Sequence, residues 1–174
     1  IFFNHLLHRE HVLLTLPDPT PAVLREIARL TEWGVPSVKV LMAYKGRLQV
    51  DDATLFAVLR EAARHGLLTM VHCENGDVIE TLTREAVAAG NLAPKFHPLT
   101  RPAELEGEAT GRAIALAAVA AAPVYIVHLT CDLALQQVRG AKARFRNVKC
   151  TALTPFTFSL LFTSPVHRAK PQRG

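Results

Sequence analysis

Three side chains in this sequence stand where polar chemistry is least expected. Lys39 lies inside Ser37-Val38-Lys39-Val40-Leu41-Met42-Ala43, an apolar stretch that runs out into Tyr44-Lys45-Gly46. His72 closes the apolar run Leu68–His72, and His128 closes Val124–His128. Taken singly, a histidine at a strand end is more often a satisfied polar residue than a ligand. The lysine is harder to dismiss, because lysine is almost never fully buried without a partner. Burial also drives it toward the neutral amine. A neutral amine can add carbon dioxide as a carbamate, exchanging a cation for an anion with two oxygens. Such oxygens beside two imidazoles make a mixed N and O donor set that suits zinc. Tyr44 offers a hydroxyl that either donates to a carbonyl oxygen gaining charge or acts as an interface tyrosine with a water partner.

The elements that must position these groups follow from the apolar pattern. His11 to Leu16 reads as a strand. Thr20 caps a helix with Pro21 in its first turn, where a missing N–H costs nothing. Leu24, Ile27, Ala28 and Leu30 give that helix its apolar stripe, and Gly34 stops it. After the lysine strand, Asp51 or Asp52 caps a helix carrying Leu55, Val58, Leu59 and Ala62 to Gly66. The strand Leu67 to His72 follows. Asn75 caps a helix with Ile79, Leu82 and Ala86, closed by Gly90; Asn91 to Thr100 is a loop. A long alanine-rich helix spans Pro102 to Ala121, with Glu104, Glu106 and Glu108 near its positive N-terminus. Pro123 breaks it. Val124 to Leu129 is a strand, Asp132 to Ala143 a helix, and Val148 to Thr151 a fifth strand.

Strand–helix alternation with continuous apolar strands predicts a parallel α/β sheet covered by helices. This pattern alone leaves open a partial barrel or an open doubly wound sheet. No Gly-x-Gly-x-x-Gly or P-loop follows any strand, which removes the main support for a nucleotide-binding sheet.

Charge is unevenly placed. Residues 1–138 hold 12 basic and 15 acidic side chains, whereas residues 139–174 hold 8 basic and none acidic. The basic character therefore belongs to the C-terminal stretch, and no aromatic-basic interleaving accompanies it, so a nucleic-acid partner is not expected. The longest apolar run, Ala113 to Val127, is broken by Pro123 and too short to span a bilayer. Cys73, Cys131 and Cys150 make an odd count without zinc-finger spacing, which fits reduced thiols and a cytoplasmic protein. His5, His8 and His11 recur every third residue and read as surface or edge residues.

Five motifs in order resemble the D-hydantoinase/dihydropyrimidinase family, cyclic amidohydrolases of the metal-dependent amidohydrolase superfamily. They are Asp18–Pro21, Ser37–Gly46, Met70–Asp77, Arg101–Ala109 and Tyr125–Cys131, spanning about residues 11 to 142. The resemblance implies a (β/α)8 barrel, of which the chain would be about half: a partial barrel segment at 1–150 and a divergent basic tail at 151–174. A whole barrel typically needs about 250 residues, and the start at Ile1 suggests an internal fragment. The resemblance further implies that Lys39 is carboxylated and bridges two divalent ions, normally zinc, that His72 and His128 bind one of them, and that Tyr44 contacts the substrate. It implies a zinc-activated hydroxide that opens a hydantoin or dihydropyrimidine ring, and a full-length dimer or tetramer.

The chain also departs from the family. The superfamily's His-x-His pair should precede this stretch, and its late aspartate should lie beyond Gly174. No catalytic residue is therefore assigned, and the 174 residues alone are expected to be inactive. Cys150–Pro155 only distantly resembles the segment due there. Glu74, Asn75 and Asp77 are read as helix-capping or ligand-supporting residues. Two alternatives stand: a non-catalytic relative of the collapsin-response type, which would usually lack Lys39 and His128, and an allantoinase or dihydroorotase acting on another ring.

Overall fold

A computed structural model describes residues 13–16, 19–144 and 148–152 of the 174. The elements alternate as expected: β1 (Leu13–Thr15), α1 (Pro21–Leu30), β2 (Ser37–Leu41), α2 (Asp52–Arg64), β3 (Leu68–His72), α3 (Gly76–Ala88), α4 (Ala103–Val119), β4 (Val124–Leu129), α5 (Asp132–Arg144) and β5 (Val148–Ala152). The stretch between α3 and α4 is not a plain loop. Its prolines start two 3-10 turns, Pro94–Phe96 and Pro98–Thr100.

Side-chain caps fix the helix starts. The Thr20 hydroxyl accepts from the Val23 N–H at 3.3 Å, and the Asp51 carboxylate from Thr54 N–H at 2.7 Å. The Asn75 side-chain oxygen accepts from Val78 N–H at 3.2 Å. Each bond satisfies a donor that the first helical turn would otherwise leave orphaned. Gly66 and Gly90, at φ +70° and +75°, follow α2 and α3 in the left-handed conformation that glycine adopts without penalty.

All five strands are parallel, and their spatial order is their chain order, β1-β2-β3-β4-β5. A doubly wound sheet reverses its strand order at a switch point; this one does not. Right-handed crossovers in an unreversed order put successive helices on one side of the sheet. Consistently, α1 packs on α2, α2 on α4 and α4 on α5. The fold is therefore a partial (β/α)8 barrel.

Strand register separates two unlike faces. Val38, Thr69, Val124 and Val148 lie in one row and are all buried, as are Val40, Val71 and Ile126 in the next. These rows meet Leu55, Val58, Leu59, Ala113 and Ala117 of the helix layer in one core. The alternate row is Thr15, Lys39, Met70, Tyr125 and Lys149. Its end members are exposed and its middle ones half-buried. Uniform burial on both faces, expected from the apolar runs, is thus replaced by a covered outer face and a partly open inner one. Lys39 stands on the inner face. No described helix is long and apolar enough to cross a membrane.

Candidate metal-binding site

His72 is the last residue of β3 and lies two places beyond Met70, so it shares the inner face with Lys39. His128 has the opposite parity. Strict alternation from Ile126 would turn it outward into the helix layer. A bulge in β4 corrects this. The β4–β5 register advances three residues on β4, from Ile126 to Leu129, while β5 advances two, from Cys150 to Ala152. Within the bulge His128 takes φ +39°, in the left-handed region that non-glycine residues rarely enter. Bulges near functional sites commonly re-aim a side chain in this way.

The re-aimed ring meets its partner directly. His72 Nδ1 lies 2.9 Å from His128 Nε2, with ring centroids 4.7 Å apart. The far nitrogen of His72, Nε2, lies 2.7 Å from Glu74 Oε2. A carboxylate accepts hydrogen bonds, so this contact favours a proton on His72 Nε2. His72 Nδ1 then carries the lone pair of the inner contact and His128 Nε2 its hydrogen, and a metal ion taking the place of that proton would meet two converging ring nitrogens.

Electrostatics point the same way. Burial, and next the charge of His72, push the His128 pKa below the ordinary imidazole value; Lys39 adds to this, and Glu106 opposes it. Burial likewise pushes the Lys39 ammonium below its usual pKa, toward the free amine. Burial works to raise the Glu74 pKa, but the hydrogen bond from His72 and the Arg101 charge, 3.7 Å away, hold it below the ordinary carboxylate value. Tyr44 sits at the mouth, its ring 5.5 Å from that of His72. Its backbone is left-handed too, at φ +70°, and its carbonyl accepts the N–H groups of Arg47, Leu48 and Gln49. That tight turn throws the tyrosine back over the site.

Among the described residues no three His, Cys, Asp or Glu side chains converge as a metal cluster. The third donor would have to be Lys39, whose amine becomes an oxygen ligand only as a carbamate. The two converging imidazole nitrogens and a lysine held toward its neutral form fit that donor set.

The chain has relatives among known proteins. The D-hydantoinase of Rhizobium radiobacter is 49% identical over 127 residues, which are 73% of this chain and 28% of that protein. The solved D-hydantoinase of Bacillus sp. AR9 superposes with a TM-score of 0.78 at 45% identity, covering 80% of this chain and 31% of that one. The dihydropyrimidinase of Brevibacillus agri NCHU1002 gives the same values. The chain is related to the D-hydantoinase/dihydropyrimidinase family. It spans under a third of the length of these hydantoinases. No family model matches it.

Within this hydantoinase-like segment the expected residues separate into groups. His72 and His128 meet at the ends of β3 and β4 with Tyr44 beside His72, while Lys39 stands in the middle of β2, level with Met70 on the same inner face. Lys45 does not join them; its ammonium pairs with Asp77 at 2.6 Å on the surface. Asn75 caps α3 and donates to Glu108 at 2.9 Å, while Glu74 holds His72. His97 lies against Arg101 at 3.2 Å, and contacts neither His72 nor His128 in any described hydrogen bond. His5, His8, His11 and residues 153–174 lie outside the described residues. The sequence reading missed the roles of Arg101 and Glu106, which follow from long-range contacts that no local pattern encodes.

Proposed function

We propose that this chain carries part of the active site of a zinc-dependent hydrolase that opens cyclic amides of the hydantoin or dihydropyrimidine kind. The observation that carries the reading is the 2.9 Å approach of His72 Nδ1 to His128 Nε2 beside a lysine whose charge burial disfavours.

In this reading Lys39, His72 and His128 hold the metal. The Lys39 amine attacks the carbon of CO2, an N–C bond forms, one C=O electron pair moves onto oxygen, and the amine proton leaves to solvent. The product carbamate is an anion with two oxygens, suited to bridging two divalent ions. Bound divalent ions would make water nucleophilic near neutral pH and polarise the scissile carbonyl. Glu74, accepting from His72 Nε2, would leave the Nδ1 lone pair for the metal. The Tyr44 hydroxyl, at the open side of the site, donates to the carbonyl oxygen of a bound ring as negative charge develops there.

The described residues supply ligands for one ion and a bridge toward a second. The 174 residues alone are therefore expected to bind zinc without turning substrate over. Activity, a cytoplasmic location and assembly into dimers or tetramers belong to the full-length form in this reading.

Zinc content of the parent, His72→Ala and His128→Ala after incubation with zinc and bicarbonate is the test. Both variants should lose the metal that the parent retains. Unchanged zinc in both would sink the assignment.

A further inference from the structure

The motif Arg101–Ala109 recurs in the contacts around the histidines, yet the chemistry above gives it no task. Its residues lie at the start of α4, and three of them reach the turn that follows β4. Both oxygens of the Glu106 carboxylate are committed to Thr130: Oε1 accepts its backbone N–H at 2.7 Å and Oε2 accepts its hydroxyl. The Cys131 thiol donates to the Ala103 carbonyl at 3.5 Å. Gly107 lies so close to Leu133 that an added Cβ would stand 2.8 Å from the Leu133 Cβ. The turn leading from His128 into α5 is thus seated on the first turn of α4.

The bulge of β4 lies immediately before that turn. A left-handed, bulged residue holds its conformation only where its surroundings over-determine it. Thr130 is two residues past His128, and it is gripped at both backbone and side chain. We propose that Glu106 is a positioning residue for His128: through Thr130 it locks the β4 bulge that turns the His128 ring inward toward His72. Released, β4 would regain ordinary alternation and His128 would swing toward the helix layer. The inference rests on the reading of His72 and His128 as a metal pair for its consequence, but its geometric core can be tested without metal.

The experiment uses the 174-residue chain with Glu106→Ala, Glu106→Gln, Glu104→Ala and Thr130→Val. Glu104→Ala removes the same charge from the same helical turn, from an exposed residue. Glutamine keeps one acceptor for the Thr130 N–H and turns the other arm into a donor toward its hydroxyl oxygen. Two quantities are read: the ring-proton NOE between His72 and His128 in the metal-free chain, and zinc affinity by competition with a chromophoric chelator. Circular dichroism checks folding. Glu106→Ala is expected to lose the NOE and weaken zinc binding about 10- to 100-fold, the usual range for a residue that orients a ligand. Glu106→Gln should retain both, Glu104→Ala should match the parent, and Thr130→Val should weaken both. A folded Glu106→Ala that keeps the NOE, or a Glu104→Ala that loses it equally, overturns the proposal. Should Glu106→Ala fail to fold, an unchanged NOE in Thr130→Val overturns it instead. A parent that shows the NOE but binds no zinc refutes the metal reading and leaves the positioning role standing on the NOE.

Discussion

His72 and His128 face each other nitrogen to nitrogen although the strand pattern assigns their side chains to opposite faces of the sheet. The contact exists because β4 carries one residue more than β5 between Ile126 and Leu129. The site is therefore as much a property of strand register as of residue type.

Lys39, not Lys45, is expected to carry the carbamate. Lys39 is half-buried and its ammonium is disfavoured by burial. Lys45 is exposed and its ammonium is engaged by Asp77 at 2.6 Å, away from the inner face. Lys39→Ala should lose zinc and regain part of it when a short carboxylic acid is added with the metal. Lys45→Ala should keep most of its zinc, since exposed ion pairs contribute only about 0–1 kcal/mol. Mass spectrometry in bicarbonate and metal analysis read both; the reverse pattern refutes the assignment.

Metal-free stability should depend on pH through His128. Its folded pKa lies below the unfolded value, so the unfolded chain takes up the proton more readily. Its contribution is complete above the unfolded pKa of about 6.5 and is lost as pH falls toward the lower folded value. Thermal midpoints should drop between about pH 7 and 5, and His128→Gln should flatten that slope. An equal slope in parent and variant would assign the proton to another group.

Gly76 should not tolerate a side chain. A Cβ there would stand 2.1 Å from Gln49 Oε1 and 2.7 Å from the Ala43 Cα, which is backbone. Alanine is the better helix former, so propensity alone predicts stabilisation of α3. The overlap should win, at about 1–3 kcal/mol of destabilisation. Urea unfolding of Gly76→Ala decides the sign.

Cys73 and Cys131 should differ in reactivity. Cys73 is buried, and burial pushes its thiol far above the ordinary range. Cys131 is half-buried, and burial raises its thiol as well. A disulfide reagent with peptide mapping should label Cys131 in the folded chain and Cys73 only with unfolding. Equal labelling would mean that α4 opens readily from the sheet.

Much of this was legible in the sequence, for local reasons. Thr20, Asp51 and Asn75 announced helix starts because capping is a contact over three residues. Pro123 and the glycines marked helix ends, and the apolar runs marked strands. The lysine and both histidines stood out because their type conflicts with their setting. What stayed hidden is non-local. The bulge at His128 depends on how β4 meets β5. The left-handed Tyr44 arises from a turn with no glycine at that position. The grip of Glu106 on Thr130 joins residues 24 apart. The half-open inner face was missed because runs such as Val124–Val127 read as continuous, while register alone tells which members face the helices.

The histidine pair also bears on how the chain reaches this state. His72 and His128 are 56 positions apart, and α3 and α4 lie between them. Closing so long a loop must precede any gain from the contact, and parallel pairing of that kind is slow. Isolated α3 or α4 can flicker into helix long before β3 finds β4. The imidazole contact can form only once that pairing and its bulge are in place. It should be among the last contacts made in folding, and zinc capture by the refolding chain would then serve as a clock for completion of the sheet.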